Sequence, residues 1–463
     1  MSLDPKQLAT EAHALKAAGR LEQAIALYRQ IIVTAPASAV AEHNLAAALG
    51  DSGRWREAEP HIRQAFAKGI DAPESWLVLA RCLQSLARLD EAEQAFKEAI
   101  RRQPSLYDAY RDLAQLRWMR TGDVAAALAH LENAILAAPA DPRLLVVKAQ
   151  VLEYADDAGA SYELLAALAS THPQDQYVAT VTSQIAATIG DGATALAHAE
   201  RAAALAPSDA VMAITLITAC LAMGQPERAS SLVGELRRQA PDNQHAIALQ
   251  ATAWRLLGDP RYQALYDYDA LVSASWLDAP NGWSNLDDYV ADLRDGLRAA
   301  HGYRAHPFHQ SVRHGSQASD ILQHDHAAVR ALPEALDGPI KRFIAALGQG
   351  GDPLRARNTG NYVFQGMWSI RMGAGGFHID HVHPKGWLSS ACYVEVPRSG
   401  NGKEGWIKFG QPGVRTMPAL EAEYFIEPAP GKLLLFPSYM WHGTVPFTDP
   451  STRLSVAFDL TPA

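Results

Sequence analysis

The chain lacks the marks of a membrane-spanning or disulfide-stabilised protein. None of its 463 residues lies in an apolar run of 18 or more, the length that a bilayer-spanning helix needs. Its three cysteines, Cys82, Cys220 and Cys392, lie far apart and form no Cys-x-x-Cys pair. We therefore expect buried free thiols rather than a disulfide framework or a structural zinc site. The N-terminus, Met1-Ser-Leu-Asp-Pro-Lys, lacks the charged and apolar regions of a secretory signal, so a reducing, cytoplasmic location is expected.

Basic charge is also in short supply. Lys and Arg number 41 against 50 Asp and Glu, which gives a net charge of −9. Because no basic excess is available to neutralise phosphates, a general nucleic-acid binder is excluded. An apolar fraction of 48% and a charged fraction of 20% are those of a soluble globular protein. The length predicts two to four domains.

The first 255 residues repeat themselves with a period of 34 or 35. A small residue recurs in each period, where it allows two helix backbones to approach closely. Twelve residues after each small residue lies a helix-ending position, and six of the seven are proline, which stops a helix. Ile70 breaks the series, but Gly69 beside it can end the helix instead. The small residues are Ala24, Ala58, Ala92, Ala127, Ser161, Ala195 and Ala229, and the prolines are Pro36, Pro104, Pro139, Pro173, Pro207 and Pro241.

This period resembles the tetratricopeptide repeat, in which each unit is a pair of helices. The resemblance predicts seven units, a capping helix over Ala246–Leu257, and a right-handed superhelix with a concave face. It implies that a peptide or protein binds in the groove. The alternative is that the repeats act as a spacer or a dimerisation surface, and the sequence leaves the oligomeric state open.

The pattern changes after Asp259-Pro260. Short β-like runs separated by Gly, Pro and Asn replace the helical period. We predict a jelly-roll (double-stranded β-helix) domain with supporting helices at Leu286–Ala300 and Ala328–Leu347. The expected domains are a repeat solenoid over 1–257, a linker with connecting helices over 258–299, and the β domain over 300–463. The predicted strands are Asn361–Met372, Leu388–Val396, Trp406–Phe409, Tyr424–Glu427, Lys432–Phe436 and Leu454–Asp459.

Two histidine-rich segments stand out in the β domain. The first contains His378-Ile-Asp-His-Val-His383, and the second ends at His442. Residues i and i+2 of a strand project to the same side. His381 and His383 therefore form one candidate metal-binding pair, while His378 and Asp380 form another on the opposite face. His442 follows a buried-looking strand and is the candidate third ligand.

This arrangement resembles the 2-oxoglutarate/Fe(II) oxygenases. Their signature is His-x-Asp/Glu, a long gap, a second His, and an Arg about ten residues later. Here Arg453 follows His442 by eleven residues, and Ser455 completes an Arg-x-Ser pair. The resemblance implies that Arg453 and Ser455 hold the distal carboxylate of 2-oxoglutarate. The keto acid then chelates iron and leaves a position for dioxygen.

More narrowly, the sequence is similar to a bacterial family of 2-oxoglutarate/Fe(II) oxygenase domains, often fused to tetratricopeptide repeats, within the prolyl-hydroxylase-like superfamily. The matching runs are His381–Pro397, Phe436–His442 and Gln310–Gln317. The resemblance covers roughly residues 300–463. It implies a reaction class and names no substrate.

The superfamily also favours one of the two histidine pairs. Its members have a Gly-rich turn four or five residues before His-Val-Asp, and a Tyr on the next strand that meets the co-substrate carboxylate. Gly376 and His381 keep that offset, and Tyr393 falls where the tyrosine would be. We therefore predict His381, His383 and His442 as metal ligands, with the literal His-x-Asp pair as the alternative. His383 then replaces the usual carboxylate ligand.

These residues predict a dioxygenase that uses Fe(II), 2-oxoglutarate and dioxygen to hydroxylate a substrate. The repeats favour a peptide or protein side chain as that substrate, and small molecules remain open. Two alternatives stand beside this prediction. The first is a non-catalytic repeat scaffold whose jelly roll has lost activity, and the second is a three-histidine, cupin-type dioxygenase that uses no keto acid.

Other histidines and tryptophans of this half are expected to have structural roles. Trp387 and Trp441 are interpreted as barrel packing, with a substrate-stacking wall as the alternative. Residues His309–Gln317 are candidates for the substrate entrance. The histidines expected on loops or helix surfaces are His306, His309, His314, His324 and His326.

Overall fold

A computed structural model describes residues 4–319, 321–398 and 402–463 of the chain. The first three residues of the N-terminal segment, and the interpretation that rests on them, lie outside the described residues. Among the described residues, no helix combines the length and the apolar character that crossing a membrane requires. Cys82, Cys220 and Cys392 are free and buried, as expected.

The N-terminal half consists of helices that follow the predicted period, which confirms the helical-repeat fold. Each predicted small residue is at most 1% exposed, because a larger side chain there would separate the packed helices. At the irregular position, α4 ends at Ala67 and Gly69 adopts a left-handed φ of 93°, as predicted. The helices are α1 (Pro5–Ala17), α2 (Leu21–Thr34), α3 (Ala39–Asp51), α4 (Trp55–Ala67), α5 (Pro73–Ser85), α6 (Leu89–Arg102), α7 (Tyr107–Thr121), α8 (Val124–Ala137), α9 (Pro142–Tyr154), α10 (Ala158–Thr171), α11 (Gln176–Ile189), α12 (Gly192–Leu205), α13 (Ala210–Ala222), α14 (Pro226–Gln239) and α15 (Gln244–Leu257).

The chain forms two compact units. Unit 1 comprises residues up to 118 and 123–147, and unit 2 comprises residues 119–122 and 148–463. Unit 2 therefore contains α10–α15 together with the entire β domain. Arg255 on α15 shows how closely they pack, since it donates to the carbonyls of Gly410 (2.8 Å) and Glu421 (2.9 Å). The predicted division at 257 and 299 follows the change of sequence pattern and stays a prediction.

The stretch after α15 belongs to the β architecture. It forms two short helices, α16 (Arg261–Leu265) and α17 (Tyr268–Leu271), and strand β1 (Ser273–Trp276). Strand β1 pairs antiparallel with a later strand of the main sheet. Helix α18 (Leu286–Ala300) has the predicted bounds. The second predicted helix is divided into α19 (Ala327–Arg330) and α20 (Leu332–Leu347), with Pro at the start of α20.

The β domain contains two antiparallel sheets among the described residues, as a jelly roll requires. One has the strand order β1-β7-β4-β9-β3-β2, and the other has the order β6-β5-β8. Strands β1, β2 and β8 were not predicted, and β3 continues six residues beyond its predicted end. Strands β4, β5, β6, β7 and β9 lie close to the predicted segments. The strand bounds are β2 (Val312–Ser319), β3 (Tyr362–His378), β4 (Leu388–Glu395), β5 (Ile407–Phe409), β6 (Tyr424–Ile426), β7 (Lys432–Pro437), β8 (His442–Thr444) and β9 (Arg453–Pro462).

Both tryptophans beside the predicted ligands are packing residues. Trp387 is fully buried and its indole N–H donates to the carbonyl of Leu354 at 2.9 Å. Trp441 is 3% exposed, and its indole N–H donates to the hydroxyl of Thr252 at 2.9 Å. Neither side chain lines the cavity that contains the predicted ligands. The packing interpretation therefore describes both residues.

Candidate metal and co-substrate site

Backbone hydrogen bonds bring three histidines together where the two sheets meet. The peptide groups of His381 and His442 exchange two hydrogen bonds, with N···O distances of 2.9 and 3.1 Å. His383 donates its peptide N–H to the carbonyl of Ser438 at 2.9 Å. Strand β3 ends at His378, so these contacts, rather than a regular strand, determine where the histidine side chains project. The i, i+2 pair His381 and His383 does converge with His442, although the local backbone is not a continuous strand. That the pair binds a metal stays a prediction.

The three imidazoles converge on one point. The Nε2 atoms of His381 and His383 lie 3.1 Å apart, and the rings of His381 and His442 have centroids 4.2 Å apart. Among the described residues, one nitrogen from each of the three rings lies within 4.8 Å of the others. This spacing is compatible with three imidazole ligands around one metal ion.

Each imidazole has its Nδ1 in contact with a group that accepts hydrogen bonds. His381 Nδ1 faces the carbonyl of Ile379 at 2.8 Å, and His442 Nδ1 faces the carbonyl of Met440 at 2.9 Å. His383 Nδ1 lies 2.7 and 2.8 Å from the carboxylate oxygens of Asp459. Since these acceptors cannot donate, Nδ1 must carry the proton in all three rings. In a neutral ring, each Nε2 then has a free lone pair, which is the tautomer that a metal ligand needs.

Burial keeps the rings of His381 and His442 neutral. It lowers the pKa of His381 to about 3 and holds the pKa of His442 well below its ordinary value. The charged form loses more than the neutral form when water is removed from the ring. The Nε2 lone pairs of His381 and His442 are therefore available at neutral pH. Together with the Nε2 of His383, whose Nδ1 contacts the Asp459 carboxylate, they form a donor set that fits a divalent metal.

The literal His-x-Asp pair is arranged differently. Asp380 forms an ion pair with Lys408, with a distance of 2.8 Å between Nζ and Oδ2. His378 lines the cavity, but its Nδ1 is hydrogen-bonded to the hydroxyl of Ser311 at 2.9 Å. Neither residue belongs to the group of converging nitrogens. The structure thus separates the alternative pair, because Lys408 holds the carboxylate away from the histidines.

Arg453 is a buried cation without a buried anion to balance it. It is 2% exposed, and no acidic side chain in residues 4–319, 321–398 or 402–463 forms an ion pair with it. One of its amino groups donates to the carbonyl of Gly405 at 2.7 Å, while its buried Nε has no hydrogen-bond partner there. An unpaired buried charge is strongly unfavourable. The site therefore fits a ligand that brings a carboxylate to Arg453.

The two other predicted co-substrate residues lie beside Arg453. Ser455 lines the same cavity and is 5% exposed. The guanidinium carbon of Arg453 lies 5.3 Å from the centroid of the Tyr393 ring, within the range of a cation–π contact. Tyr393 does not line the cavity, and its buried hydroxyl has no hydrogen-bond partner among the described residues. The Tyr393 ring therefore contacts the Arg453 guanidinium, and the Tyr393 hydroxyl is a second buried polar group without a hydrogen-bond partner, after Arg453 Nε.

Asp459 is a site residue that was not singled out from the sequence. Its carboxylate accepts from His383 Nδ1 and from the hydroxyl of Ser389, the latter at 2.7 Å. Arg453, Ser455 and Asp459 all line the cavity from alternate positions of β9. Period-2 alternation starting from Arg453 was the signal that could have identified Asp459.

One cavity is lined by the three converging histidines together with Arg453, Ser455 and Asp459. Its volume is about 580 Å³, enough for a small co-substrate and part of a second molecule. His309, Arg313 and Gln317 line it, in agreement with the expectation for the segment 309–317. His306 was expected on a surface but is 4% exposed, and its Nε2 donates to the carbonyl of Tyr154 at 3.1 Å. That hydrogen bond compensates for the burial of the imidazole, a contact the local sequence does not reveal.

Comparison with known proteins agrees with both halves of the prediction. The family model described as "Tetratricopeptide repeat" matches residues 43–107 and 83–143, and a second model of that description matches 190–253. The family model described as "Putative 2OG-Fe(II) oxygenase" matches residues 366–459. The chain thus contains tetratricopeptide repeats followed by a C-terminal domain of this oxygenase type. No curated protein matches the chain.

Several solved structures resemble part of the chain at low sequence identity. A tetratricopeptide repeat protein from Parabacteroides merdae is 16% identical over 54% of this chain and 98% of its own, with a TM-score of 0.38. A repeat-containing protein from Cytophaga hutchinsonii is 16% identical over 56% and 95%, with a TM-score of 0.33. PilW, a type IV pilus biogenesis factor, is 18% identical over 44% and 94%, with a TM-score of 0.33.

Proposed function

We propose that this protein is a 2-oxoglutarate- and Fe(II)-dependent dioxygenase that hydroxylates a peptide or protein side chain. The observation that carries the proposal is the combination of two features in one cavity. Three imidazoles converge with their Nδ1 atoms held by acceptors, and an unpaired buried guanidinium lies on the same cavity wall. The first suits a divalent metal and the second suits a carboxylate of the co-substrate.

In this proposal His381, His383 and His442 hold the iron through Nε2. When bound, Fe(II) would activate dioxygen for attack on a substrate C–H bond. Asp459 compensates for the missing carboxylate ligand, because it accepts the Nδ1 proton of His383 and makes that imidazole a stronger donor. Its negative charge thus lies one imidazole away from the metal position instead of beside it.

Arg453 and Ser455 bind the distal carboxylate of 2-oxoglutarate. The guanidinium has unused N–H groups, and Ser455 can donate a hydroxyl hydrogen bond alongside it. The aromatic ring of Tyr393 holds the Arg453 guanidinium in place through the cation–π contact. A dicarboxylate therefore satisfies the buried charge that the free protein leaves unpaired.

The overall reaction is balanced by the co-substrate. Dioxygen and 2-oxoglutarate are consumed, and carbon dioxide and succinate leave. One oxygen atom enters succinate, while the other converts the substrate C–H group into C–OH. The buried walls formed by β4 and β9 limit the access of water to the reacting groups.

The repeats favour a macromolecular substrate. Tetratricopeptide repeats generally present a groove that binds peptides or proteins, and one enzyme domain fused to them is well placed to act on the bound partner. The three unpaired buried thiols suit a reducing compartment, and we propose a cytoplasmic location.

A three-histidine dioxygenase without keto acid is the second candidate, since the metal position has no carboxylate ligand. Such an enzyme would give Arg453 no anion to bind, and the buried guanidinium weighs against it. A scaffold that held only a structural metal would need the same Nδ1 contacts, so the formation of succinate distinguishes it from the proposed enzyme.

Succinate formation tests the proposed function. Purified full-length protein, loaded with Fe(II) in the presence of ascorbate, is expected to convert 2-oxoglutarate slowly to succinate. Arg453→Met should raise the KM for 2-oxoglutarate at least about tenfold, because a charge-assisted hydrogen-bond pair is lost. Absence of turnover in the wild type, or an unchanged KM in Arg453→Met, would contradict the proposal.

A further inference from the structure

One wall of the cavity comes from the repeats and not from the β domain. Glu153 and Tyr154 line the cavity at the C-terminal end of α9, in the portion of that helix that belongs to unit 2. The metal and co-substrate residues contribute the other walls. A substrate that reaches the histidines must therefore pass a surface that a repeat helix supplies.

This wall is held in place by several contacts. The Tyr154 hydroxyl is hydrogen-bonded to His309 Nδ1, and its ring stacks on Phe308 with centroids 5.1 Å apart. His306 donates to the Tyr154 carbonyl, as described above. Arg313 forms an ion pair with Asp156, just beyond the helix, at 3.0 Å. The end of α9 is thus anchored, and the position of Glu153 is fixed with it.

The Glu153 carboxylate has no partner in this wall. It is half-buried, and it forms no hydrogen bond or ion pair within residues 4–319, 321–398 and 402–463. Burial raises the pKa of Glu153 to about 7, and the nearby Arg313 offsets only part of that rise. Arg313 itself is engaged by Asp156 and by the carbonyls of Gln310 and Val312. The wall therefore contains an uncompensated acidic group that faces the cavity.

The positive groups of the cavity do not balance Glu153. Arg453 is assigned to 2-oxoglutarate in the proposed function, and Lys385 is exposed to solvent. A ligand that brings its own positive charge to Glu153 would satisfy the carboxylate in a partly desolvated setting, where such a pair is strong.

We propose that the substrate is the basic side chain of a peptide, lysine or arginine, and that Glu153 selects it by pairing with its charged nitrogen. This inference rests on the proposed function for the reaction, in which a carbon of that side chain is hydroxylated and the charged nitrogen is retained. Glu153 is a specificity-determining residue contributed by the repeat region. Within unit 2, the end of α9 thus completes the substrate pocket.

Peptide binding tests this inference separately from turnover. The probes are acetylated, amidated pentapeptides Ala-Ala-X-Ala-Ala with lysine, arginine, norleucine or glutamate at X, and lysine amide as a small-molecule control. Calorimetry is performed anaerobically on the full chain with Fe(II) and 2-oxoglutarate. The lysine or arginine peptide is expected to bind at least about tenfold more tightly than the norleucine peptide, as for a hydrogen bond between charged groups. A stronger response to lysine amide than to either basic peptide would overturn the peptide assignment.

Variants assign the preference to one carboxylate. Glu153→Gln should abolish the preference for basic peptides, and Glu153→Lys should reverse it toward the glutamate peptide. Glu163→Gln, which removes the same charge from an exposed position on α10, should retain it. Equal binding of all probes, no binding of the basic peptides, or a preference that survives Glu153→Gln would overturn the inference.

The same titrations on metal-free protein keep the two proposals distinguishable. A chain that binds no iron but still prefers basic peptides through Glu153 would support the selectivity and refute the proposed function. A chain that binds iron and 2-oxoglutarate but shows no charge preference would refute the selectivity alone.

Discussion

Replacing Asp459 with asparagine separates the role of its charge from the role of its shape. Asp459 accepts from His383 Nδ1 and from the Ser389 hydroxyl, at distances of 2.7 to 2.8 Å. In Asp459→Asn the amide oxygen can still accept from His383. The amide N–H can donate to Ser389, whose hydroxyl can then donate to Ser438, 2.9 Å away. The side-chain volume is thus preserved. The negative charge is lost, and an amide nitrogen replaces one of the two carboxylate oxygens that lie 2.7 and 2.8 Å from His383 Nδ1.

We expect Asp459→Asn to weaken metal binding by about 10- to 100-fold, the range found when the hydrogen-bond partner of a metal-bound histidine is removed. This corresponds to roughly 1.4 to 2.7 kcal/mol. The fold should remain intact, because the side-chain volume is unchanged and the amide oxygen still accepts from His383 Nδ1. Anaerobic titration of the protein with Fe(II) or Co(II) against a competing chelator measures the affinity.

Asp380→Asn is the matched control. Asp380 is the carboxylate of the literal His-x-Asp sequence, but its partner in the structure is Lys408. We expect its substitution to change the metal affinity by less than about threefold, equivalent to under ~0.7 kcal/mol. A loss in Asp380→Asn that equals or exceeds the loss in Asp459→Asn would refute the assignment of His383 and its carboxylate partner.

Three further outcomes follow from the contacts of buried polar groups. Ser455→Ala should weaken 2-oxoglutarate binding about 3- to 10-fold in an anaerobic titration, because one hydrogen bond to the co-substrate is lost. An unchanged affinity would show that Ser455 does not bind 2-oxoglutarate. Tyr393→Phe removes a buried hydroxyl without a partner. It should therefore raise the free energy of unfolding of the ligand-free protein by about 1 kcal/mol, as measured by chemical denaturation. A lower free energy of unfolding would show that the hydroxyl makes a hydrogen bond in the folded protein. Burial lowers the pKa of His301 and of His306 to about 4, so the unfolded chain binds protons more readily between pH 6.5 and 4. The free energy of unfolding should therefore decline as the pH falls through that window, by about 1.4 kcal/mol per pH unit for each histidine. A free energy of unfolding that does not change with pH, in wild type and in His301→Gln alike, would contradict the burial of these histidines in neutral form.

The elements with strong periodicity were predictable from the sequence. The repeat helices follow from small residues and prolines in phase. The three converging histidines follow from an i, i+2 pair with a distant His and Arg. Strand β2 was missed because its sequence, Val-Arg-His-Gly-Ser-Gln-Ala-Ser, lacks apolar alternation. It is a strand because its backbone pairs with β3 across a register shift between Arg313 and Gly315.

The residues that the sequence did not reveal depend on long-range contacts. Asp459 acts through His383, 76 positions earlier in the chain, and only the packing of β9 beside the histidines joins them. Glu153 reads as an ordinary polar residue at a helix end. Its position in the cavity wall arises from the contacts of Tyr154 with Phe308 and His309, which no local pattern encodes.

Anaerobic binding of Fe(II) and 2-oxoglutarate to the whole chain tests whether the three histidines bind Fe(II) and whether Arg453 binds the co-substrate beside it. We expect the chain to bind a single equivalent of iron. Addition of 2-oxoglutarate should then produce the visible absorption band of a keto acid chelated to Fe(II). His442→Ala should abolish the band, and Arg453→Met should shift its formation to higher 2-oxoglutarate concentrations. An iron-loaded protein that forms no such band would contradict the binding of 2-oxoglutarate to the metal. A band that persists in His442→Ala would contradict the assignment of His442 as a metal ligand.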